Sequence, residues 1–181
     1  MSQPAPVLVI DLQTGMFASP KFPAIHDADG LTARTRKVVG WARETGHPVA
    51  FIRHDGAPGD ELAPGEPGWP VWPALGQKDE EPTFSKSVGD AFSQPALVKW
   101  MQDMGADSVI LLGAQTDQCV AATVKGALER GLKVTVVGDT HGTWDWGGET
   151  ADQIIARHNR LFAEAGATVT DSETLAGGTE T

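Results

Sequence analysis

Val109-Ile110-Leu111-Leu112-Gly113-Ala114-Gln115-Thr116-Asp117-Gln118-Cys119-Val120 holds the only cysteine of the chain and changes periodicity halfway along. The apolar run Val109 to Leu112 reads as a buried strand and Gly113 ends it. Helical spacing then begins at Val120, Ala121, Val124, Ala127 and Leu128. Thr116 is a natural N-cap for that helix, which would set Cys119 in its first turn. A thiol there faces unpaired backbone N–H groups and the positive end of the helix dipole, and both favour the nucleophilic thiolate. The plainer alternative is a small buried hydrophobe. The strand–turn–helix position makes a nucleophile the hypothesis to carry outward.

On the C-terminal side, the helix stops at Gly131 and Val134 to Val137 form a further strand, ended by Gly138-Asp139. A last helix carries Ile154, Ile155, His158, Leu161 and Phe162 on one face and ends at Gly166. The strand Ala167 to Thr170 follows, and the polar tail after Ser172 is expected to fray. On the N-terminal side, Val7 to Ile10 is a buried strand closed by Asp11, and Leu12 to Gly30 is a loop carrying Phe17 and Phe22. A helix from about Leu31 to Thr45 stops at Gly46, and Val49 to Ile52 form a strand that leaves Arg53, His54 and Asp55 at its end. Gly56 to Pro82 is a long proline- and glycine-rich excursion with Trp69 and Trp72, either a surface loop packed by its own tryptophans or a cover for a site. Thr83-Phe84-Ser85 reads as a brief strand before Lys86, and Pro95 opens a helix that ends at Gly105.

Four helices thus end at Gly46, Gly105, Gly131 and Gly166, each followed closely by a strand. That cadence of βαβ units gives the α/β class: a mostly parallel sheet with helices on both faces, a three-layer α/β/α sandwich. Ligands of such sheets bind beyond the carboxyl ends of the strands, where Asp11, His54, Cys119 and Asp139 all fall.

With 181 residues the chain is read as a single domain over 1–181, able to bury a sizeable core. A formal charge of −10 and the lack of any basic run argue against nucleic acid or an anionic membrane as partner. One cysteine cannot form an intramolecular disulfide, which suits a reducing cytosol; Met1 to Ile10 lacks the features of a signal peptide and no apolar segment is of spanning length. A cytoplasmic location is expected. The turn Asp11-Leu12-Gln13-Thr14-Gly15-Met16 has one glycine only and no P-loop occurs, so neither a dinucleotide nor any other cofactor is expected.

A nucleophilic Cys119 needs a proton acceptor. Of His26, His47, His54, His141 and His158, none is singled out by spacing, and Asp11 could serve instead if burial raises its pKa. The residues Val-Ile-Asp11-Leu-Gln, Phe-Ser-Lys86-Ser-Val-Gly-Asp-Ala-Phe and Gly113-Ala-Gln-Thr-Asp-Gln-Cys119-Val, in that order, resemble the isochorismatase-like cysteine hydrolases. The resemblance implies a six-stranded sheet of Rossmann-like order and an Asp11–Lys86–Cys119 triad. It further implies an oxyanion hole of the Gln115 and Cys119 backbone N–H groups, with a cis peptide between Ala114 and Gln115. Asp11 would take the thiol proton while Lys86 stabilises the charged pair, and a thioester would form on the way to cleaving the C–N bond of a small amide.

Two departures narrow this. Cys119 sets the chain apart from members similar to true isochorismatases, which do not rely on that cysteine. Arg53-His54-Asp55-Gly56 stands where nicotinamidases carry an Asp-x-His metal motif, so no metal is expected. Gln13, Phe17, His54 and Phe92 are candidates for the substrate pocket, and family analogy implies a homo-oligomer. The rivals are a nicotinamidase-type amidase, a thiol redox protein, and a non-catalytic small-molecule-binding or scaffold protein on the same fold.

Overall fold

The computed structural model describes residues 3–177. Six strands form one sheet: β1 (Val7–Ile10), β2 (Val49–His54), β3 (Thr83–Lys86), β4 (Ser108–Ala114), β5 (Lys133–Gly142) and β6 (Thr168–Thr170). Their order is β3-β2-β1-β4-β5-β6 and every pairing is parallel. The order reverses beside β1, whose Val9 lies level with Phe51 of β2 and Leu112 of β4. Parallel strands covered on both faces need apolar side chains where they are buried, which is why β1 and the buried stretches Val49–Ile52 of β2 and Val109–Leu112 of β4 read as apolar runs.

Alternate residues feed two cores. Leu8, Ile10, Ala50, Ile52 and Leu111 point to the face covered by α3 (Pro95–Asp103), α4 (Ala121–Glu129) and α5 (Ala151–Glu164), where Leu97, Val124 and Phe162 meet them. Val7, Val9, Phe51, Ile110 and Leu112 point to the other, covered by α2 (Ala28–Glu44) through Leu31, Val38, Val39 and Ala42. This is the expected α/β/α sandwich.

Three local departures matter for the site. A short helix, α1 (Thr14–Phe17), interrupts the loop after Asp11. The strand expected to end at Val137 runs on to Gly142, because a register shift between Leu111 and Gly113 sets the four residues 137–140 against Leu112 alone and lets pairing resume at His141. The tail after Ser172 is not frayed as far as it is described: α6 (Ser172–Ala176) is capped by Asp171, and Asp139 accepts bonds from the Ser172 backbone N–H and hydroxyl at 2.8 and 2.6 Å. Asp139 is thereby occupied away from the sheet edge. The residues beyond Gly177 lie outside the described residues.

Candidate active site

The carboxyl ends of three strands deliver the candidate residues. Asp11 follows β1 with a left-handed φ of 49°, a conformation aspartate tolerates better than most residues, and its N–H donates to Ile52 O at 3.0 Å. Lys86 ends β3 and pairs in register with His54, the last residue of β2. Cys119 is half-buried in the turn after β4. Gly113, with φ 130°, lets β4 pass close to β1: a Cβ there would stand 2.0 Å from Ile10 O.

Lys86 Nζ sits 2.8 Å from Asp11 Oδ2, 3.3 Å from Cys119 Sγ and 3.4 Å from His54 Nδ1. An ammonium has three N–H bonds and no acceptor, so these three partners account for all of them, and His54 Nδ1 must be the unprotonated nitrogen. The Lys86 and Asp11 side chains are 0% and 1% exposed. Asp11 Oδ1 is buried without a partner. Among the described residues, Asp11, His54 and Cys119 form the one group with donor atoms close enough to share a metal ion, within 4.8 Å of one another, and the Lys86 ammonium bonds to all three.

Burial pushes the Asp11 carboxyl above its ordinary value, against the pull of Lys86. Burial, helped by the charge on Asp11, pushes the Cys119 thiol up to about 12. The thiolate expected from a helix N-terminus is therefore corrected to a resting thiol. The capping expectation fails too. Thr116–Val120 is a π-turn ahead of α4, and the Thr116 side chain bonds to no backbone N–H. Its hydroxyl lies 2.8 Å from His141 Nδ1, while His141 Nε2 lies 2.8 Å from Asn159 Oδ1 and Asn159 Nδ2 donates to Gly138 O at 2.9 Å. These bonds are mutually consistent only if Thr116 donates to Nδ1 and Nε2–H donates to Asn159. His141 is 2% exposed, and burial lowers its pKa to about 4.

The remaining pocket candidates are spread out. Gln13 is fully buried and clamps the loop, donating to His54 O and Trp69 O at 3.0 and 2.8 Å and accepting from His54 N–H at 2.9 Å. Trp69 Nε1 donates to Asp55 Oδ1 at 2.8 Å, so Asp55 belongs to the same clamp. Phe17 stacks on Trp72 with ring centroids 4.9 Å apart. Phe92, expected at the pocket, is 3% exposed in the core beneath α3 and α4. A cavity of about 550 Å³ is walled instead by Gly15, Met16, Glu61, Leu62 and Trp144, and reaches Gln115 at the start of the cysteine turn. Sequence reasoning missed this wall and the Thr116–His141–Asn159 chain. Trp144 lies just past the end of β5, a position hidden while that strand is expected to stop at Val137.

An isochorismatase from Pseudomonas putida superposes with a TM-score of 0.87 at 25% identity, over 97% of this chain and 93% of the other. A streptothricin hydrolase from Streptomyces noursei is 32% identical over 77% of this chain, which spans only about half, 54%, of that relative. A nicotinamidase from Escherichia coli is 26% identical over 75% of this chain and 82% of its own length. The sequence model of the Isochorismatase domain matches residues 5–174, and by that match the chain belongs to the isochorismatase family.

Proposed function

We propose that the chain is a cysteine-dependent hydrolase that cleaves the C–N bond of a small amide through a thioester on Cys119. The observation that carries this reading is the dry Lys86 ammonium held between the Asp11 carboxylate and the Cys119 thiol, with the second oxygen of Asp11 buried and unpartnered.

A thiol whose pKa stands near 12 is no nucleophile at neutral pH by itself. Asp11 takes its proton as sulfur attacks the carbonyl carbon, and Lys86 balances the negative charge that moves between carboxylate and sulfur. The C=O pair becomes an oxyanion, assigned to the backbone N–H groups of Gln115 and Cys119 on the turn that follows the cis Ala114–Gln115 peptide. Collapse of the tetrahedral species breaks the C–N bond, and Asp11 hands its proton to the departing nitrogen. Water then attacks the thioester, gives a proton to Asp11, and the thiol is restored.

Ammonia or amine release from a panel of amides, with the acyl adduct on Cys119 weighed by mass spectrometry, tests the reading. Turnover and an adduct that both vanish in Cys119→Ala are expected. No turnover on any amide, with wild type and Cys119→Ala alike in every assay, would leave the non-catalytic binding protein in its place. Peroxide consumption that depends on Cys119 would instead favour the redox reading. The likeness to a nicotinamidase makes nicotinamide one member of the panel.

The proposal extends to a homo-oligomer, supported by the outward-facing Phe22 and Trp146, 62% and 76% exposed near the cavity. Sedimentation at working concentration tests that. No helix among the described residues is long and apolar enough to cross a membrane; action in a reducing compartment is proposed from the single free thiol.

A further inference from the structure

We infer that the far end of β5 keeps the oxyanion site open: His141 and Thr143 are positioning residues that draw the side chains of Thr116 and Asp117 away from the backbone N–H groups of the cysteine turn. The inference rests on the hydrolase reading and adds to it two residues that act through the turn rather than on the reacting atoms.

Threonine and aspartate near a helix start ordinarily turn their oxygens back onto it. A capping threonine accepts from the N–H two or three residues on, and aspartate commonly from the N–H two residues on. Counted from Thr116 and from Asp117, both reach the N–H of Cys119. That N–H is one of the two donors assigned to the oxyanion. A carboxylate bonded to it would be a charge-assisted competitor for the carbonyl oxygen of the substrate.

In the structure both side chains are turned onto β5 instead. After the register shift Gly113 lies level with His141 and Ala114 with Gly142, so β5 follows β4 up to the turn. Residues two apart on a strand share a face, and His141 and Thr143 stand two apart. The Thr116 hydroxyl donates to His141 Nδ1 and the Thr143 hydroxyl donates to Asp117 Oδ1, both at 2.8 Å. Each anchor is itself fixed. His141 Nε2 is bonded to Asn159 of α5 at 2.8 Å, and Thr143 O accepts from the His26 N–H at 3.1 Å. Thr116, His141 and Thr143 are all buried, so bulk water does not compete for these bonds. The turn is closed by its backbone, with the Gln118 and Val120 N–H groups both donating to Gln115 O at 3.1 Å. A bond that merely tethers the turn and one that withholds a competitor differ in one consequence. Once the anchor is lost, removing the released side chain helps only in the second case.

The single cysteine lets that consequence be read with simple probes. The Cys119 sulfur attacks the carbonyl carbon of p-nitrophenyl acetate, an oxyanion forms, the C–O bond breaks, and p-nitrophenolate leaves an acetyl thioester behind. Methyl methanethiosulfonate meets the same sulfur, forms a methyl disulfide and expels methanesulfinate, with no carbonyl oxyanion. Thr143→Val is expected to slow acetylation by about tenfold or more while disulfide formation stays within about twofold of the wild type. Thr143→Ser keeps the hydroxyl and should acetylate like the wild type. Adding Asp117→Ala to Thr143→Val should recover most of the loss, and adding Thr116→Ala should relieve His141→Phe in the same way. Thr143→Ala carries the expectations of Thr143→Val should the valine variant not fold. A double variant no faster than its single parent makes the bond an ordinary tether and overturns the inference at that anchor. An equal loss of both reactions in Thr143→Val, or no loss of either, also overturns it. Ammonia release from the amide panel tests the hydrolase reading separately. Acetylation that follows these expectations, with no amide turned over, keeps the inference for acyl transfer and removes the amidase. Amide turnover that needs Cys119 but is indifferent to Thr143→Val keeps the hydrolase and removes the inference. If p-nitrophenyl acetate leaves wild-type Cys119 unmodified, no oxyanion site is at work there and the inference falls.

Discussion

Asp11 and Cys119 oppose each other electrostatically, which gives the most discriminating test at the scale of single residues. The negative charge of Asp11 is one of the causes that raise the thiol, while Lys86 lowers it. In Asp11→Asn the first is removed and the second stays. The pH profile of iodoacetamide alkylation at Cys119 is then expected to move to lower pH, so more thiolate is present at neutrality. Turnover nevertheless falls by about a hundredfold or more, because the proton acceptor and donor is gone. Turnover that survives this substitution would assign the base elsewhere. In the wild type, kcat/KM requires ionised Asp11, so its acid limb is expected to lie above the ordinary carboxylate range, in the direction burial shifts that group. Lys86→Met strips a buried anion of its partner, a change that typically costs about 3–5 kcal/mol. A carboxyl whose pKa is raised by folding binds its proton more tightly in the folded chain than in the unfolded one. Its contribution is greatest at low pH and is lost as pH rises through the folded value. Urea midpoints should therefore show Lys86→Met losing less stability at about pH 5 than at about pH 8. An equal loss at both would mean that Asp11 is not the group left uncompensated.

The elements that carry these residues differ in how openly their sequence announces them. The strands β1, β2 and β4 are legible because their buried stretches are apolar throughout, and glycine or proline marks the helix ends between them. Asp11 and Cys119 follow from those strand ends. Lys86 did not, since β3 is a half-exposed edge strand of mixed composition, and only the family motif picked it out. The nearness of His54 to Lys86 is a matter of β2–β3 register, which a loop from Gly56 to Pro82 conceals. Thr116 was misread because a hydroxyl before a helix normally caps it, and nothing local reveals an acceptor 25 residues further on. That acceptor, His141, sets an element-scale prediction. Its pKa is near 4 in the folded chain against 6.5 when free. The unfolded chain thus takes up a proton first as pH falls. The contribution of His141 to stability is expected to be full above about pH 6.5, to decline below it, and to have dropped by on the order of 3 kcal/mol by about pH 4. His141→Gln, which can still accept from Thr116 and donate to Asn159, is expected to flatten that decline in urea denaturation and to retain most of kcat. His141→Phe should lower kcat more than it raises KM, since it releases the turn bearing Gln115 and Cys119. Parallel stability curves for wild type and His141→Gln would remove His141 from the account of acid sensitivity.

At the scale of the whole molecule, a charge of −10 pulls on cations from a distance. About 0.1 M salt screens that summed field within roughly 10 Å. The rate at which a cationic methanethiosulfonate modifies Cys119, relative to an anionic one, should therefore fall as ionic strength rises. Asp103→Asn and Glu129→Gln neutralise exposed acids on α3 and α4, far from the thiol, and together should make that fall less steep. A ratio that salt does not move would mean that the charges in contact with the thiol set it, above all the Lys86 ammonium 3.3 Å from Cys119 Sγ, which salt screens far less because it is buried.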